Sequence, residues 1–210
     1  MVRRRAFFFI AVSYFGVVAV LSGLAAAGAL DPADLASNPV GVSHGRLWTL
    51  LSSGLLVAGP GVLVALLAAA AAALALAVHG GWALFWRVAL AGHVGSALVA
   101  YVVLGLLVAV GATSSGAPSL TAPDYGISCV WFASVGALLC LLALRVRSGQ
   151  WRAFADGPLA AAALSALFLP TSILSDGLTT AEHVLALVLG ACAVVLAPQR
   201  AGARPAWSAA

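Results

Sequence analysis

Tyr125-Gly126-Ile127-Ser128-Cys129-Val130-Trp131-Phe132-Ala133-Ser134-Val135-Gly136, running on through Leu144 to Arg145 and Arg147, decides how the rest of the chain is read. Its apolar residues do not alternate strictly, so a half-buried strand does not fit. About 20 apolar residues are what a helix needs to cross the hydrocarbon core of a bilayer. The stretch therefore predicts a transmembrane helix over Tyr125–Leu144, with a serine three residues in and arginines at the far end.

The composition supports a bilayer as solvent. The chain is 63% hydrophobic and 8% charged, whereas a water-soluble domain carries roughly a quarter charged residues. Every basic residue is Arg, and Ala, Val, Leu and Gly dominate, as in a chain from a GC-rich bacterial genome. Five further spans are predicted near Ala6–Leu30, Leu51–Val78, Val88–Gly111, Pro158–Leu174 and Thr179–Pro198, giving an all-α membrane protein with a six-helix bundle. Arg3, Arg4 and Arg5 before the first span suggest a signal peptide. Its apolar run exceeds the roughly 7–15 residues of a signal h-region, so an uncleaved helix is expected. Residues 1–198 read as one transmembrane domain and 199–210 as a disordered cytoplasmic tail.

Placing both termini in the cytoplasm puts Arg3, Arg4, Arg5, Arg87, Arg145, Arg147, Arg152, Arg200 and Arg204 inside, and only Arg46 outside. This positive-inside bias sets the orientation, in the inner (plasma) membrane of a bacterial cell. It also accounts for the net charge of +4 without nucleic acid. The outer connections are Asp31–Leu50, the irregular Ser-, Gly- and Pro-rich stretch Ala112–Asp124, and Ser175–Leu178.

On that threading Ser128 and His183 lie about 4.5 Å and 6 Å inside the outer ends of the fourth and sixth spans. A serine hydroxyl is a poor nucleophile until a base takes its proton, and an imidazole suits that work near neutral pH. Burying both groups costs less if they bond to one another. Gly136 follows Ser128 by eight residues, and Gly190 follows His183 by seven, nearly two turns. Small residues let membrane helices approach closely, so a tight contact between these two helices is expected.

These residues resemble the rhomboid family of intramembrane serine proteases. The family has six core helices, with a GxSG-type motif opening the fourth and a His in the sixth. Gly126, Ser128, Phe132, Ala133 and Gly136 follow the helix-four pattern; His183 and Gly190 follow that of helix six. Arg46 and Thr49 resemble the family's Trp-Arg stretch, with Gly45 where Trp is usual. The resemblance implies Ser128 and His183 as catalytic dyad, the Ser128 backbone N–H and Gly126 as oxyanion support, and an active site facing the extracytoplasmic side. It implies transmembrane proteins as substrates or clients, and neither cofactor nor metal.

There are departures. Cys129 replaces the glycine after the serine. The His and Asn that the family carries on helix two, as oxyanion donors, fall near Gly59 and Leu63. Losing one such donor costs about 3–4 kcal/mol of transition-state binding. Ser52, Ser53, His44 and Asn38 are candidate substitutes. Glu182 is expected to point to water at a helix N-terminus, where a carboxylate is favoured. His93 is expected near the cytoplasmic end of helix three, bonded to a backbone carbonyl and on the wrong side to reach the dyad. His79 is expected at the inner turn and a solvated His44 in the outer loop, with kinks at Pro60 and Pro170. Trp48, Trp82 and Trp86 read as interfacial anchors. Cys129, Cys140 and Cys192 read as free thiols. The function expected is intramembrane proteolysis by a Ser-His dyad, with a non-cleaving pseudoprotease as the alternative. A transporter or channel subunit fits poorly, because mid-membrane charges are few.

Overall fold

A computed structural model of the chain describes residues 2–57, 62–125, 127–149 and 177–197. Among them the chain is mostly helical, without a strand; Ser37 and Asp124 form an isolated antiparallel bridge. The helices are α1 (Val2–Ala26), the short α2 (Pro39–Ser43) and α3 (Thr49–Ser52), α4 (Val62–Gly80), α5 (Trp82–Leu90), α6 (Ser96–Ala109), α7 (Ser128–Arg147) and α8 (Gly177–Val195). A π-helical turn, Ala91–Gly95, fuses α5 and α6 into one rod. Five of the described segments are long and apolar enough to cross a membrane: Phe8–Ala26, α4, the rod Trp82–Ala109, α7 and α8. The protein is thus a multi-pass membrane protein. The predicted fifth span, Pro158–Leu174 with Pro170, and the predicted tail lie outside the described residues, as does Pro60.

α7 is the centre of the bundle. Cys129 through Leu138 are all buried, as expected of a helix with neighbours on every side. α8 lies along one flank, and α4 and α5 pack on others. Gly136 and Gly190 make the α7–α8 contact close. A Cβ on Gly136 would run into the Leu187 carbonyl, and one on Gly190 into the Ala133 carbonyl. Gly92, in the π-turn, similarly meets Ala133. Lipid supplies no hydrophobic force between helices, so such close packing must hold them together.

The expected second span, Leu51–Val78, needs correction: its outer part is not a continuous helix. Thr49–Ser52 is a single α-turn, Ser53–Leu55 is a 3₁₀ turn, and Leu56 is extended with φ −135° and ψ 143°. Non-helical backbone at membrane depth persists only where protein groups satisfy it. Here α1 provides them. The Tyr14 hydroxyl donates to the Gly54 carbonyl at 2.8 Å, and the Val57 N–H donates to Ser22 Oγ at 2.9 Å. Leu56 is fully buried beneath.

The third span starts at Trp82 rather than Val88, which moves His93. It sits eleven residues in, about 16 Å along the rod. It has a side-chain partner as well as the expected backbone one: Nε2 lies 3.1 Å from Ser53 Oγ, and the ring also interacts with the Leu50 backbone. The neighbouring Gly92 approaches the Cys129 carbonyl. His93 is therefore at mid-span, close in depth to the first turns of α7, and not at the far end of its helix.

The start of α1 lies beside the start of the rod. Phe8 packs edge-on against Trp82 with ring centroids 5.7 Å apart. At that same end Arg145 of α7 donates to the His79 carbonyl, near the end of α4, at 3.2 Å. Gly81, with φ 84°, makes the turn between α4 and α5 there, and His79 lies beside it at the end of α4. The opposite end carries the loops that surround Ser128.

Candidate active site

Ser128 is the first residue of α7, and Ile127 before it makes no side-chain cap. His183 is six residues into α8, about 9 Å along its axis. α7 begins three residues later than expected, and α8 is already helical at Gly177, two residues before its expected start. The close glycine contact fixes the offset between the two helices. As a result, His183 Nε2 lies 2.9 Å from Ser128 Oγ. His183 is buried and Ser128 half-buried.

Phe132 orients the imidazole. Its ring lies parallel to that of His183, with centroids 4.2 Å apart and an interplanar angle of 5°. Phe132 follows Ser128 by four residues and so shares its helix face. It is itself fully buried, with Trp131 edge-on beside it. Sequence reasoning noted Phe132 only as part of a pattern; the i, i+4 spacing was the signal that it flanks the serine's partner.

Gly126 lies outside the described residues. The Ser128 amide opens α7, and helix geometry leaves the first N–H groups of a helix unused by its own ladder. The two Ser128 groups assigned to the chemistry, hydroxyl and N–H, thus occur together at a helix N-terminus, where partial positive charge favours an anion.

The four candidate substitute donors are placed elsewhere. Ser52 Oγ donates to the Leu35 carbonyl at 2.9 Å, and Ser53 Oγ meets His93. The Asn38 side chain caps α2 by accepting from the Gly41 N–H at 2.6 Å. His44 is exposed, as expected, at the end of α2. On α4, Leu63 is 66% exposed, an apolar side chain turned outward from the bundle. Gly59 lies outside the described residues.

Glu182 corrects an expectation. It does not point to water; it is 0% exposed. Because α8 is already helical at Gly177, Glu182 lies at least one turn inside the helix, and it faces inward. Tyr101 and Cys129 are both within electrostatic reach of Glu182 and of Asp124. The boundary shift turned an end-of-helix carboxylate into an interhelical one.

Above the dyad, the loop after α1 is tied to the entry of α7. Ser37 and Asp124 exchange backbone bonds of 2.9 Å and 2.8 Å. The Tyr101 hydroxyl lies 2.8 Å from Ser37 Oγ and donates to Asp124 Oδ2 at 3.2 Å. Arg46 and Thr49, singled out from the sequence, brace the loop: the Arg46 guanidinium lies over Trp48 at 5.4 Å, and Thr49 Oγ1 donates to the Arg46 carbonyl. Cys129 is buried, Cys140 half-buried and Cys192 exposed, all as free thiols.

No protein-family model, curated protein or solved structure matches the chain.

Proposed function

We propose that this chain is a rhomboid-like intramembrane serine protease. The observation that carries the reading is the 2.9 Å contact between Ser128 Oγ and His183 Nε2, made by residues 55 apart in sequence. A nucleophile within hydrogen-bond reach of a base, with the base oriented by a third group, is the arrangement covalent catalysis needs. Here the third group is the Phe132 ring.

In this reading Ser128 Oγ attacks a peptide carbonyl in or beside a client's transmembrane segment, and His183 Nε2 takes the hydroxyl proton. The Ser128 N–H, with other first-turn amides of α7, stabilises the oxyanion. Collapse of the intermediate breaks the C–N bond, and His183 returns the proton to the leaving amine. Water, deprotonated by the same imidazole, then hydrolyses the acyl-enzyme. The arginine bias places the dyad at the extracytoplasmic side of the inner membrane, with both termini in the cytoplasm. Six core helices are part of the proposal, Pro158–Leu174 supplying the sixth.

A second reading, a pseudoprotease that holds membrane-protein clients without cutting them, has one specific observation in its favour. The outer part of the second span carries neither His nor Asn, and Ser52, Ser53 and Asn38 are engaged in other bonds. Loss of one oxyanion donor slows acyl transfer by about 10²–10³-fold, which turnover assays can resolve. The test is co-reconstitution in liposomes with a panel of single-span proteins. Fragments that appear with the wild type and not with Ser128→Ala support the protease. Stable capture of intact clients by both forms supports the second reading.

A further inference from the structure

We propose that the cleft between α5 and α8, at the end of the bundle away from Ser128, is a binding site for an anionic phospholipid of the adjoining leaflet. The cleft has a volume of about 340 Å³ and is lined by Arg87 with Leu189, Cys192, Ala193 and Leu196. Among the described residues its walls are otherwise alanine, the guanidinium is its one charge, and no carboxylate lines it. Leu196 is 81% exposed and Cys192 is exposed, so the cleft opens to the side of the bundle rather than into its core.

Depth and charge choose the occupant. Arg87 lies five residues after Trp82, about 7.5 Å from the start of the rod. Arginine at that depth extends its stem along apolar surface and carries its head to the lipid phosphates. A guanidinium facing hydrocarbon needs a counter-charge. A phospholipid supplies both parts: phosphate for Arg87, and an acyl chain for the Leu189, Ala193 and Leu196 wall. Basic pockets between transmembrane helices take anionic head groups in this way. Residues 198–210 contain no Asp or Glu, and they add Arg200 and Arg204.

The site is independent of the proposed proteolysis, and its test reads no activity. The full chain in a neutral detergent is unfolded thermally with added phosphatidylglycerol, phosphatidylcholine or soluble glycerol phosphate. Phosphatidylglycerol is expected to raise Tm more than phosphatidylcholine, with no shift from glycerol phosphate. The excess is expected to persist in Arg87→Lys and to vanish in Arg87→Gln. It is also expected to vanish in Ala193→Phe, which fills the cleft while keeping the charge and covers the case in which Arg87→Gln fails to fold. Equal shifts from both lipids, an excess that survives Arg87→Gln or Ala193→Phe, or a full effect from glycerol phosphate alone overturns the proposal. Loss of the excess on deleting residues 199–210 overturns it too, by assigning the preference to Arg200 and Arg204.

Discussion

Gly190 of α8 lies against the Ala133 carbonyl of α7 with no room for a methyl group between them. Gly136 repeats the relationship from the other helix against Leu187. This reciprocal contact sets the stagger of α7 and α8, and so the meeting of Ser128 and His183. Gly190→Ala is expected to destabilise the fold by about 1–3 kcal/mol through overpacking. It should also pull the dyad apart. Thermal unfolding in detergent measures the first effect and serine-directed probe labelling the second; a variant as stable and as reactive as wild type would refute the coupling.

The parallel stacking of Phe132 on His183 should hold the imidazole plane in register with the serine hydroxyl. An aromatic pair of this kind is worth about 0.5–1.5 kcal/mol beyond burial. Phe132→Leu keeps most of the apolar volume and loses the ring face. Its labelling rate is expected to fall by up to about tenfold, at a Tm close to wild type.

The Ser53–His93 contact joins the irregular outer part of the second span to the π-turn of the third. Ser53→Ala removes a partner from a buried imidazole and should cost about 1–3 kcal/mol. Combining it with His93→Phe should cost less than the sum of the two single changes, a coupling that a double-mutant cycle measures. Additive costs would mean that the contact contributes nothing.

Tyr101→Phe removes the hydroxyl that touches both Ser37 and Asp124. A cost of about 0.5–1.5 kcal/mol is expected. Amide exchange should speed up selectively in the loop from Asp31 to Trp48 and at the entry to α7. Uniform or unchanged exchange would show that the loop is held by other contacts.

The helices were legible where one kind of signal dominated. The apolar run from Val130 to Leu144, ended by Arg145 and Arg147, fixes α7 without tertiary information. The spacing of Gly136 and Gly190 foretold the face on which α7 and α8 meet. The break after Ser52 was not legible, because Leu55, Leu56 and Val57 read as helix by hydropathy. What permits the break is Tyr14 and Ser22, hydroxyls from a helix 35–40 residues earlier. His93 and Glu182 were misplaced for a simpler reason. Helix boundaries from sequence err by several residues, and each residue of error shifts a side chain's inferred depth by about 1.5 Å. Trp82 to Arg87 fell before the expected third span, Val88–Gly111, and form the first turns of the rod; Glu182 looked like a helix cap, and lies at least one turn inside its helix.

The central claim is that His183 activates the Ser128 hydroxyl, and labelling of the purified protein by a fluorophosphonate probe tests it most directly. The account predicts covalent modification at Ser128, lost in Ser128→Ala and strongly slowed in His183→Ala with the fold intact. Absence of modification under conditions that label an active rhomboid, or labelling that survives Ser128→Ala, would contradict it.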